Sequence, residues 1–206
     1  MVQSIDINPF NQSEIAAACG MDYLPDDRSR GVWISKDEGV SWKQVLGPAT
    51  GDLNVNFGGN VFNLKIGGPC LRYHPSIQGR MFAGTLADPA TGMPYIYMST
   101  SNGDAYSWNL ISSNSGGIGN VTCIQIHPAF PDEVWVGTDK GLWRTLDNGL
   151  TWSYPMFTDH ISKVYQMLMK KDRNGKLMVI VTTGKMFRIE NDLNNITDIG
   201  ANFGEY

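Results

Sequence analysis

The sequence predicts an all-β protein built from repeated four-stranded units, and three observations support this fold class. Charged residues make up only 17% of the 206-residue chain, below the roughly 25% usual in soluble domains, while glycine (23 residues) and tryptophan (6 residues) are abundant. Four segments repeat the same order of apolar strands and turns. No stretch shows the apolar periodicity of a long amphipathic helix.

Each repeat unit begins with an alternating strand, then a turn and a second, apolar strand. A third strand carries an aromatic residue, and a tight turn leads into a fourth strand. Three units have a proline in the first turn, in the pairs Asn8-Pro9, His74-Pro75 and His127-Pro128. Proline fixes φ and cannot donate a ladder hydrogen bond, so it ends the first strand. The units span about 2–46, 62–111, 121–157 and 164–200, within a single domain or domain fragment of residues 1–206.

Glycine closes the second strand in three units, at Gly20, Gly84 and Gly137. A glycine there predicts a tight reversal into the third strand, because glycine tolerates backbone angles that other residues avoid. One stretch, 161–171, fits either a helix or a strand. The Asn-Gly-Lys turn and the LMVIVTT run that follow it favour a hairpin.

Tryptophan spacing gives the size of the unit. Trp42, Trp108 and Trp152 end the second turn of three units, with separations of 66 and 44 residues. The shorter separation matches the period of about 40–50 residues of a four-stranded propeller blade. Insertions at 47–59 and 86–94 account for the longer one, and 21–30 is a similar insertion in the first unit. The sequence therefore predicts a β-propeller, or a propeller fragment, of about four four-stranded antiparallel blades.

The turns between third and fourth strands carry a recurring motif, SKDEGVSW in the first unit and TLDNGLTW in the third. The shared positions are Ser35 or Thr145, Asp37 or Asp147, Gly39 or Gly149, and Trp42 or Trp152. The aspartate is expected to accept hydrogen bonds from backbone N–H groups ahead of it, with the hydroxyl adding a local bond. The glycine is expected at positive φ, and the tryptophan to cover the hairpin.

The motif is incomplete in the other two units. STSNGDAYSW in the second unit keeps Ser99, Gly103 and Trp108, but serine replaces the aspartate and two residues are inserted. The fourth unit has RIENDLNN there, without the glycine or the tryptophan. A carboxylate that recurs at the same turn of successive units is predicted to stabilise the fold, because catalytic pairs do not occur once per blade.

The pattern S-x-D-x-G-x-x-W resembles the Asp-box, or BNR repeat, of sialidases, two-propeller xyloglucanases, sortilin-type receptors and photosystem assembly factors. The run HPAFPDEVWVGTDKGLWRTLDNGLTW is especially similar to blades of the xyloglucanase type and their non-catalytic relatives. The resemblance covers about residues 2–157. It implies a β-propeller whose boxes lie at the blade periphery, away from the central funnel where ligands bind.

No catalytic residue is assigned. The early Arg-Ile-Pro motif of sialidases is missing, and the partial echo at Phe187-Arg188-Ile189-Glu190 follows the boxes instead of preceding them. A xyloglucanase-type site would pair two carboxylates across a cleft. Asp6, in SIDINPF, resembles a stretch of that family, but the sequence pairs it with no second carboxylate. Part of a glycoside hydrolase catalytic propeller, xyloglucanase-like or sialidase-like, is therefore the alternative function.

The inserted loops are candidates for a ligand-binding surface, since loops on one face of a propeller commonly bind. Their candidate residues, an aromatic and carboxylate mixture suited to sugar or protein contacts, are Tyr23, Asp26, Asp27, Asp52, Phe57 and Asp88. Ordinary connecting loops are the competing interpretation. The sequence predicts a non-catalytic binding or scaffold module that contacts a glycan or a protein.

Other function classes lack a signal. The net charge is -4, and no cluster of basic and aromatic residues predicts nucleic-acid binding. No apolar run approaches the ~20 residues of a membrane helix, so no membrane insertion is predicted. The three cysteines and three histidines lack metal-ligand spacing, and no metal or cofactor is predicted.

Four units use nearly the whole chain, without a spare strand to latch a ring. The expected arrangements are a closed four-bladed ring, a fragment of a larger propeller, or a ring completed by other chains or domains. The first residues, MVQSIDI, alternate like a strand and do not predict a signal peptide. An extracellular or surface-associated location is nevertheless expected, as for a mature domain cut from a larger protein.

Overall fold

The computed structural model describes residues 2–19, 31–47, 54–57, 60–63, 70–86, 95–111, 118–153, 163–172, 175–182, 185–190 and 195–200. In this part of the chain the regular structure consists of antiparallel β-sheets, which confirms the all-β prediction. No helix among these residues is long and apolar enough to cross a membrane.

The first two large sheets are four-stranded, and their strands lie side by side in chain order. The first contains β1 (Val2–Ile7), β2 (Ile15–Cys19), β3 (Gly31–Ser35) and β4 (Lys43–Leu46). A hairpin of β5 (Asn54–Phe57) and β6 (Asn60–Asn63) follows. The second contains β7 (Leu71–Tyr73), β8 (Met81–Gly84), β9 (Ile96–Ser99) and β10 (Trp108–Leu110).

The last two large sheets repeat this order. The third contains β11 (Val121–Ile126), β12 (Val134–Thr138) and β13 (Gly141–Thr145), and Ser153, the last residue described before a gap, pairs with Arg144 in an isolated bridge. The fourth contains β14 (Val164–Asp172), β15 (Gly175–Thr182), β16 (Lys185–Glu190) and β17 (Asn195–Asp198). Residues 164–171 of the ambiguous stretch 161–171 therefore belong to a hairpin, as the turn that follows them indicated, and residues 161 and 162 lie outside the described residues.

Two core clusters hold the sheets together. One lies among the first three sheets, and the other lies between the third sheet and the fourth. The first strand of each sheet packs on the first strand of the next, from β1 to β7, from β7 to β11 and from β11 to β14. The chain thus stacks its sheets face to face, with the first strands innermost.

Side chains of one inner strand hydrogen-bond the backbone of the next. The Ser4 hydroxyl donates to the Leu71 carbonyl at 3.5 Å, and the Gln125 amide donates to the Met167 carbonyl at 2.9 Å. Such bonds satisfy backbone groups that no strand ladder reaches at the innermost edge. They fix the position of one sheet against its neighbour.

Gly20 lies outside the described residues. A tight reversal follows Gly137, as a two-residue turn between Thr138 and Gly141, but the role predicted for the glycines was wrong, because Gly84 and Gly137 are both paired strand residues. Neither residue has a positive φ. A Cβ at Gly84 would lie 2.5 Å from Val121 Cγ1, and one at Gly137 would lie 2.7 Å from Val164 Cγ1. Glycine is needed there because the second strand touches the inner strand of the following sheet, where a methyl group has no room.

Candidate functional site: a groove along the inner strands

A groove of about 360 Å³ lies where the inner strands of the first three sheets end, beside the middle of β14 in the fourth sheet. The first three sheets contribute matching positions. Their polar lining residues are Asp6, Arg72 and Gln125, and their prolines are Pro9, Pro75 and Pro128. Leu168 and Met169 complete the wall from the fourth sheet.

The three polar side chains occupy one repeat position. Each lies three residues before the proline that ends its strand. Because side chains alternate between faces along a strand, the same position in each unit points the same way. The repeat therefore brings Asp6, Arg72 and Gln125 to one side of the groove, although they are far apart in sequence. Aligning the units on their prolines would have found these residues, which the sequence analysis did not single out together.

Asp6 is the carboxylate of the groove and lies at the junction of the first two sheets. Its Oδ2 accepts a hydrogen bond from the Tyr73 backbone N–H at 2.7 Å, and its Oδ1 lies 3.9 Å from Arg72 Nη1. Burial raises the pKa of Asp6, while the Tyr73 N–H and the Arg72 guanidinium partly offset this rise. Among the described lining residues Asp6 has no second carboxylate opposite it.

Tyr73 supports the groove from behind. Its hydroxyl donates to Glu14 Oε1 at 3.1 Å, which ties the second sheet to the first. Burial, followed by the negative charge of Glu14, raises the pKa of Tyr73 well above its usual value. Both groups are engaged with each other in a buried position, so Glu14 serves the sheet junction rather than the groove.

The residues before the repeat prolines cap their turns. His74 Nδ1 accepts hydrogen bonds from the backbone N–H groups of Ser76 and Ile77, at 3.1 and 2.9 Å. His127 Nδ1 accepts the two equivalent bonds, and Asn8 Oδ1 accepts one from Phe10. A neutral imidazole is required for this acceptance, and burial lowers the pKa of His74 accordingly. His160 lies outside the described residues.

The Asp37 turn is held by a local hydrogen-bond network. The Ser35 hydroxyl donates to Asp37 Oδ1 at 2.7 Å and accepts from the Gly39 N–H at 2.8 Å. Ser41 donates its N–H to Asp37 Oδ1 at 2.8 Å and its hydroxyl to Oδ2 at 2.6 Å. These bonds, with the Ser41 hydroxyl as the largest cause, lower the pKa of Asp37 from 3.8 to about 2.

The Asp147 turn repeats the network atom for atom. Thr145 donates its hydroxyl to Asp147 Oδ1 at 2.7 Å and accepts from the Gly149 N–H at 2.8 Å. Thr151 donates its N–H and its hydroxyl to the two carboxylate oxygens at 2.9 and 2.6 Å. The Thr151 hydroxyl is again the largest cause of a lowered carboxyl pKa, here that of Asp147.

The second unit builds the same turn without an aspartate. The Ser99 and Ser107 hydroxyls lie 2.6 Å apart, and Ser99 Oγ accepts from the Gly103 N–H at 3.0 Å. The Trp108 indole donates to the Gly103 carbonyl at 3.2 Å. The Ser107 hydroxyl, which directly precedes the tryptophan as Ser41 and Thr151 do, thus contacts the first hydroxyl of the turn without a carboxylate between them. None of the residues of these three turns lines the groove.

The predicted loop residues give little further information about binding. Tyr23, Asp26, Asp27, Asp52 and Asp88 lie outside the described residues. Phe57 ends β5, and its backbone pairs with that of Asn60 in the hairpin that the sequence analysis treated as a connector. Their part in ligand binding stays a prediction. Within the described ranges, no cluster of three or more His, Cys, Asp or Glu residues could hold a metal ion.

Solved structures share this architecture at low sequence identity. The chain superposes on the GH74 enzyme of Niastella koreensis with a TM-score of 0.69 and 14% identity, covering 96% of this chain and 30% of that one. For the GH74 xyloglucanase of Xanthomonas campestris the TM-score is 0.62 with 13% identity, over 97% and 30% of the two chains. For YCF48 bound to D1 peptide it is 0.57 with 12% identity, over 96% and 52%.

The chain has a β-propeller fold. This follows from the superpositions together with the radially stacked antiparallel sheets, which are its blades. The chain spans less than two thirds of the length of each of these neighbours. No family model matches the sequence, and no curated protein matches it either.

Proposed function

We propose that this chain is a non-catalytic β-propeller module that binds an extended segment of another protein in the groove along its inner strands. The observation that carries the proposal is the composition of the groove. Three prolines and the apolar side chains of Leu168 and Met169 surround one carboxylate and one guanidinium. Apolar surface with a few placed polar groups is typical of a recognition site.

The groove suits a peptide better than a sugar. The described walls are mostly proline and other apolar side chains, and Tyr73 is their single aromatic residue. The Arg72 guanidinium beside Asp6 offers a bidentate donor for a backbone carbonyl or an acidic side chain of the bound segment. One propeller with a similar fold, YCF48, was solved with a peptide. In keeping with this function, we propose an extracellular or surface-associated location.

The repeated turns belong to the proposal as folding devices of the Asp-box type. Their carboxylates are fully engaged by hydroxyl and N–H donors of the same turn. They lie away from the groove lining. A bound segment in the groove would therefore leave the two networks intact.

A random-peptide phage library selected on the full chain supplies probes for the test. We expect a selected peptide to lose affinity by about tenfold or more for Arg72→Ala, since a hydrogen bond to a charged group contributes about 1.5–3 kcal/mol. Lys36→Ala is the matched control, because Lys36 is a cation paired with Asp104 outside the groove. Calorimetric titration measures both. Unchanged affinity for Arg72→Ala would contradict binding in the groove.

A second candidate function is part of a glycoside hydrolase catalytic propeller. The raised pKa of Asp6 in an open groove favours it, because a general acid needs a carboxyl that keeps its proton. Xyloglucan hydrolysis by the chain, abolished by Asp6→Asn, would support this candidate and contradict the first. If the chain binds an oligosaccharide but neither hydrolyses it nor binds a peptide, the ligand of the groove is a glycan and not a protein.

A further inference from the structure

A second concavity lies beside the groove, at the turn that joins β11 to β12. This pocket measures about 240 Å³ and is lined by Phe130, Pro131, Asp132, Glu133 and Leu146. We call it the Phe130 pocket. Pro128 of the same turn lines the groove. Because two residues of extended chain span at most about 7 Å, Phe130 lies close to the groove wall at Pro128. A segment that leaves the groove across Pro128 can therefore reach the Phe130 pocket.

The Phe130 pocket combines exposed apolar side chains with an exposed carboxylate. Phe130 and Leu146 are 61% and 58% exposed, and the side chain of Asp132 is 60% exposed. Asp132 Oδ1 accepts a hydrogen bond from the Asn148 amide and lies 3.7 Å from Arg80 Nη1. Among the described residues, Asp132 Oδ2 has no hydrogen-bond partner. This oxygen is therefore available to a donor on a ligand.

Two other contacts fix the walls of the pocket. The backbone N–H of Phe130 donates to His127 Nδ1 at 2.9 Å, and the two rings lie 4.7 Å apart between centroids. Glu133 is buried and accepts the Trp135 indole N–H at 2.6 Å, so its carboxylate belongs to the core of the blade. Phe130 is thus held in place before a ligand arrives, which lowers the entropic cost of binding.

The turn itself does not require these side chains. In the first three blades the turn after the third strand donates a backbone N–H to a carbonyl of the turn after the first strand, from Glu38 to Ser13, from Asn102 to Gly79 and from Asn148 to Asp132. These bonds and the repeat prolines align the turns residue by residue. The positions of Phe130, Asp132 and Leu146 are occupied by Asn11, Ser13 and Lys36 in the first blade and by Ile77, Gly79 and Thr100 in the second. Since the first blade forms this turn with polar side chains, the exposed Phe130 and Leu146 indicate a contact with another molecule.

We propose that the Phe130 pocket receives an arginine side chain of the protein segment that lies in the groove. The aliphatic part of the arginine would pack on Leu146, and its guanidinium would stack on the Phe130 ring and donate to Asp132 Oδ2. Arginine is preferred to lysine because a planar guanidinium both stacks on an aromatic ring and donates to a carboxylate. The inference rests on the proposed function for the segment, but the preference of the pocket for arginine is measurable without it.

Titration of the full chain with N-acetyl-arginine methylamide, followed by NMR, tests the pocket alone. The citrulline counterpart, which is neutral and nearly isosteric, is the matched probe. We expect the arginine probe to shift the Phe130 and Leu146 resonances saturably, and the citrulline probe to leave them unchanged. Equal shifts with both probes, or no shift with either, would overturn the proposal.

Two variants of the pocket strengthen this test. Asp132→Asn is expected to weaken binding of the arginine probe by about two- to fivefold, as for loss of an exposed ion pair. Leu146→Lys places a cation in the pocket and is expected to abolish binding, and Lys36 shows that the turn accepts a lysine at this position. Asp104→Asn is the matched control, because the side chain of Asp104 is 58% exposed and pairs with Lys36 outside the pocket. Circular dichroism verifies that each variant is folded.

A peptide selected on the full chain tests whether the pocket and the groove share one ligand. We expect one arginine of the peptide whose replacement by citrulline weakens binding to the wild type by about two- to fivefold and leaves binding to Asp132→Asn unchanged. A peptide whose affinity depends on Arg72 but on no arginine of its own would overturn this inference and leave the proposed function intact. A peptide that is insensitive to Arg72→Ala, with the arginine probe still bound at Phe130, would contradict binding in the groove and support the arginine site.

Discussion

The Asp37 turn and the Asp147 turn share their local chemistry but differ in their surroundings. Their four networked hydrogen bonds agree in partners, and their lengths differ by no more than 0.1 Å. Gly39 and Gly149 have the same φ of 91°. Yet a Cβ on Gly149 would lie 2.6 Å from Ile111 at the end of the preceding blade, whereas among the described residues a Cβ on Gly39 would meet only Trp42 of its own turn. The motif thus determines the hydrogen bonds of the turn, and contacts with the neighbouring blade determine how much the turn contributes to packing.

The tryptophans give the largest expected difference between the turns. Trp152 packs against the main core cluster and donates its indole N–H to the Ile111 carbonyl at 3.1 Å, whereas the Trp42 indole donates to Gly39 of its own turn. We expect Trp152→Ala to lower the free energy of unfolding by about 3 kcal/mol, the lower end for truncation of a buried tryptophan, because Trp152 is partly buried. Trp42→Ala should lower it by about 1 kcal/mol because less apolar area is lost. Urea unfolding measures both.

Equal losses of unfolding free energy in the two tryptophan variants would contradict the expected difference between the two turns. They would mean that the first blade is already covered in solution as fully as the third.

Substitutions of the turn glycines are expected to give a difference in stability of intermediate size between the two turns. Gly39→Ala places a side chain at positive φ, which costs about 1 kcal/mol. Gly149→Ala has the same strain and also drives a methyl group toward Ile111, where overpacking adds about 1–3 kcal/mol. We therefore expect Gly149→Ala to be the less stable variant in urea unfolding. Indistinguishable midpoints would show that the third blade relaxes away from Ile111.

The smallest effect is a pH dependence that belongs to the turn itself. The pKa of Asp37 falls from 3.8 to about 2 on folding, so its contribution to stability is complete above pH 3.8 and is lost as the pH falls to about 2. We expect the difference in melting temperature between the wild type and Asp37→Asn to shrink across this interval. A difference that stays constant would mean that the carboxylate charge does not stabilise the turn.

Asp6 should behave in the opposite sense. Its pKa is raised on folding, so the folded chain binds its proton more tightly, and stability from this group increases as the pH falls through the raised pKa. Melting curves of Asp6→Asn, which cannot titrate, should lack that gain. If the stability of Asp6→Asn depends on pH in the same way as that of the wild type, burial does not determine the pKa of Asp6.

Features determined by local sequence could be predicted, and those determined by contacts between blades could not. The Asp-x-Gly turns and the strand order follow from hydrogen bonds within a few residues, and the structure shows both. The purpose of Gly84 and Gly137 was misread because it depends on Val121 and Val164 in the following blades. The hairpin of β5 and β6 also escaped prediction, since Asn and Gly residues dominate its sequence.

The groove was hidden for the same reason. Asp6, Arg72 and Gln125 are unremarkable within their own strands, and only the stacking of blades places them together. The turns and the groove both use equivalent positions of the units, but in different ways. The first and third turns carry the same types of side chain at these positions, whereas the groove positions carry different ones. Variation at equivalent positions is what a binding surface requires, because each blade then contacts a different part of the ligand.

The central claim is that the turns maintain the fold and that the groove binds the ligand. Measuring peptide affinity and melting temperature in parallel for Asp37→Ala and Arg72→Ala tests it most directly. We predict that Asp37→Ala melts at a lower temperature with nearly unchanged affinity, and that Arg72→Ala loses affinity with a nearly unchanged melting temperature. Loss of binding in Asp37→Ala with wild-type stability, together with full binding by Arg72→Ala, would contradict the account.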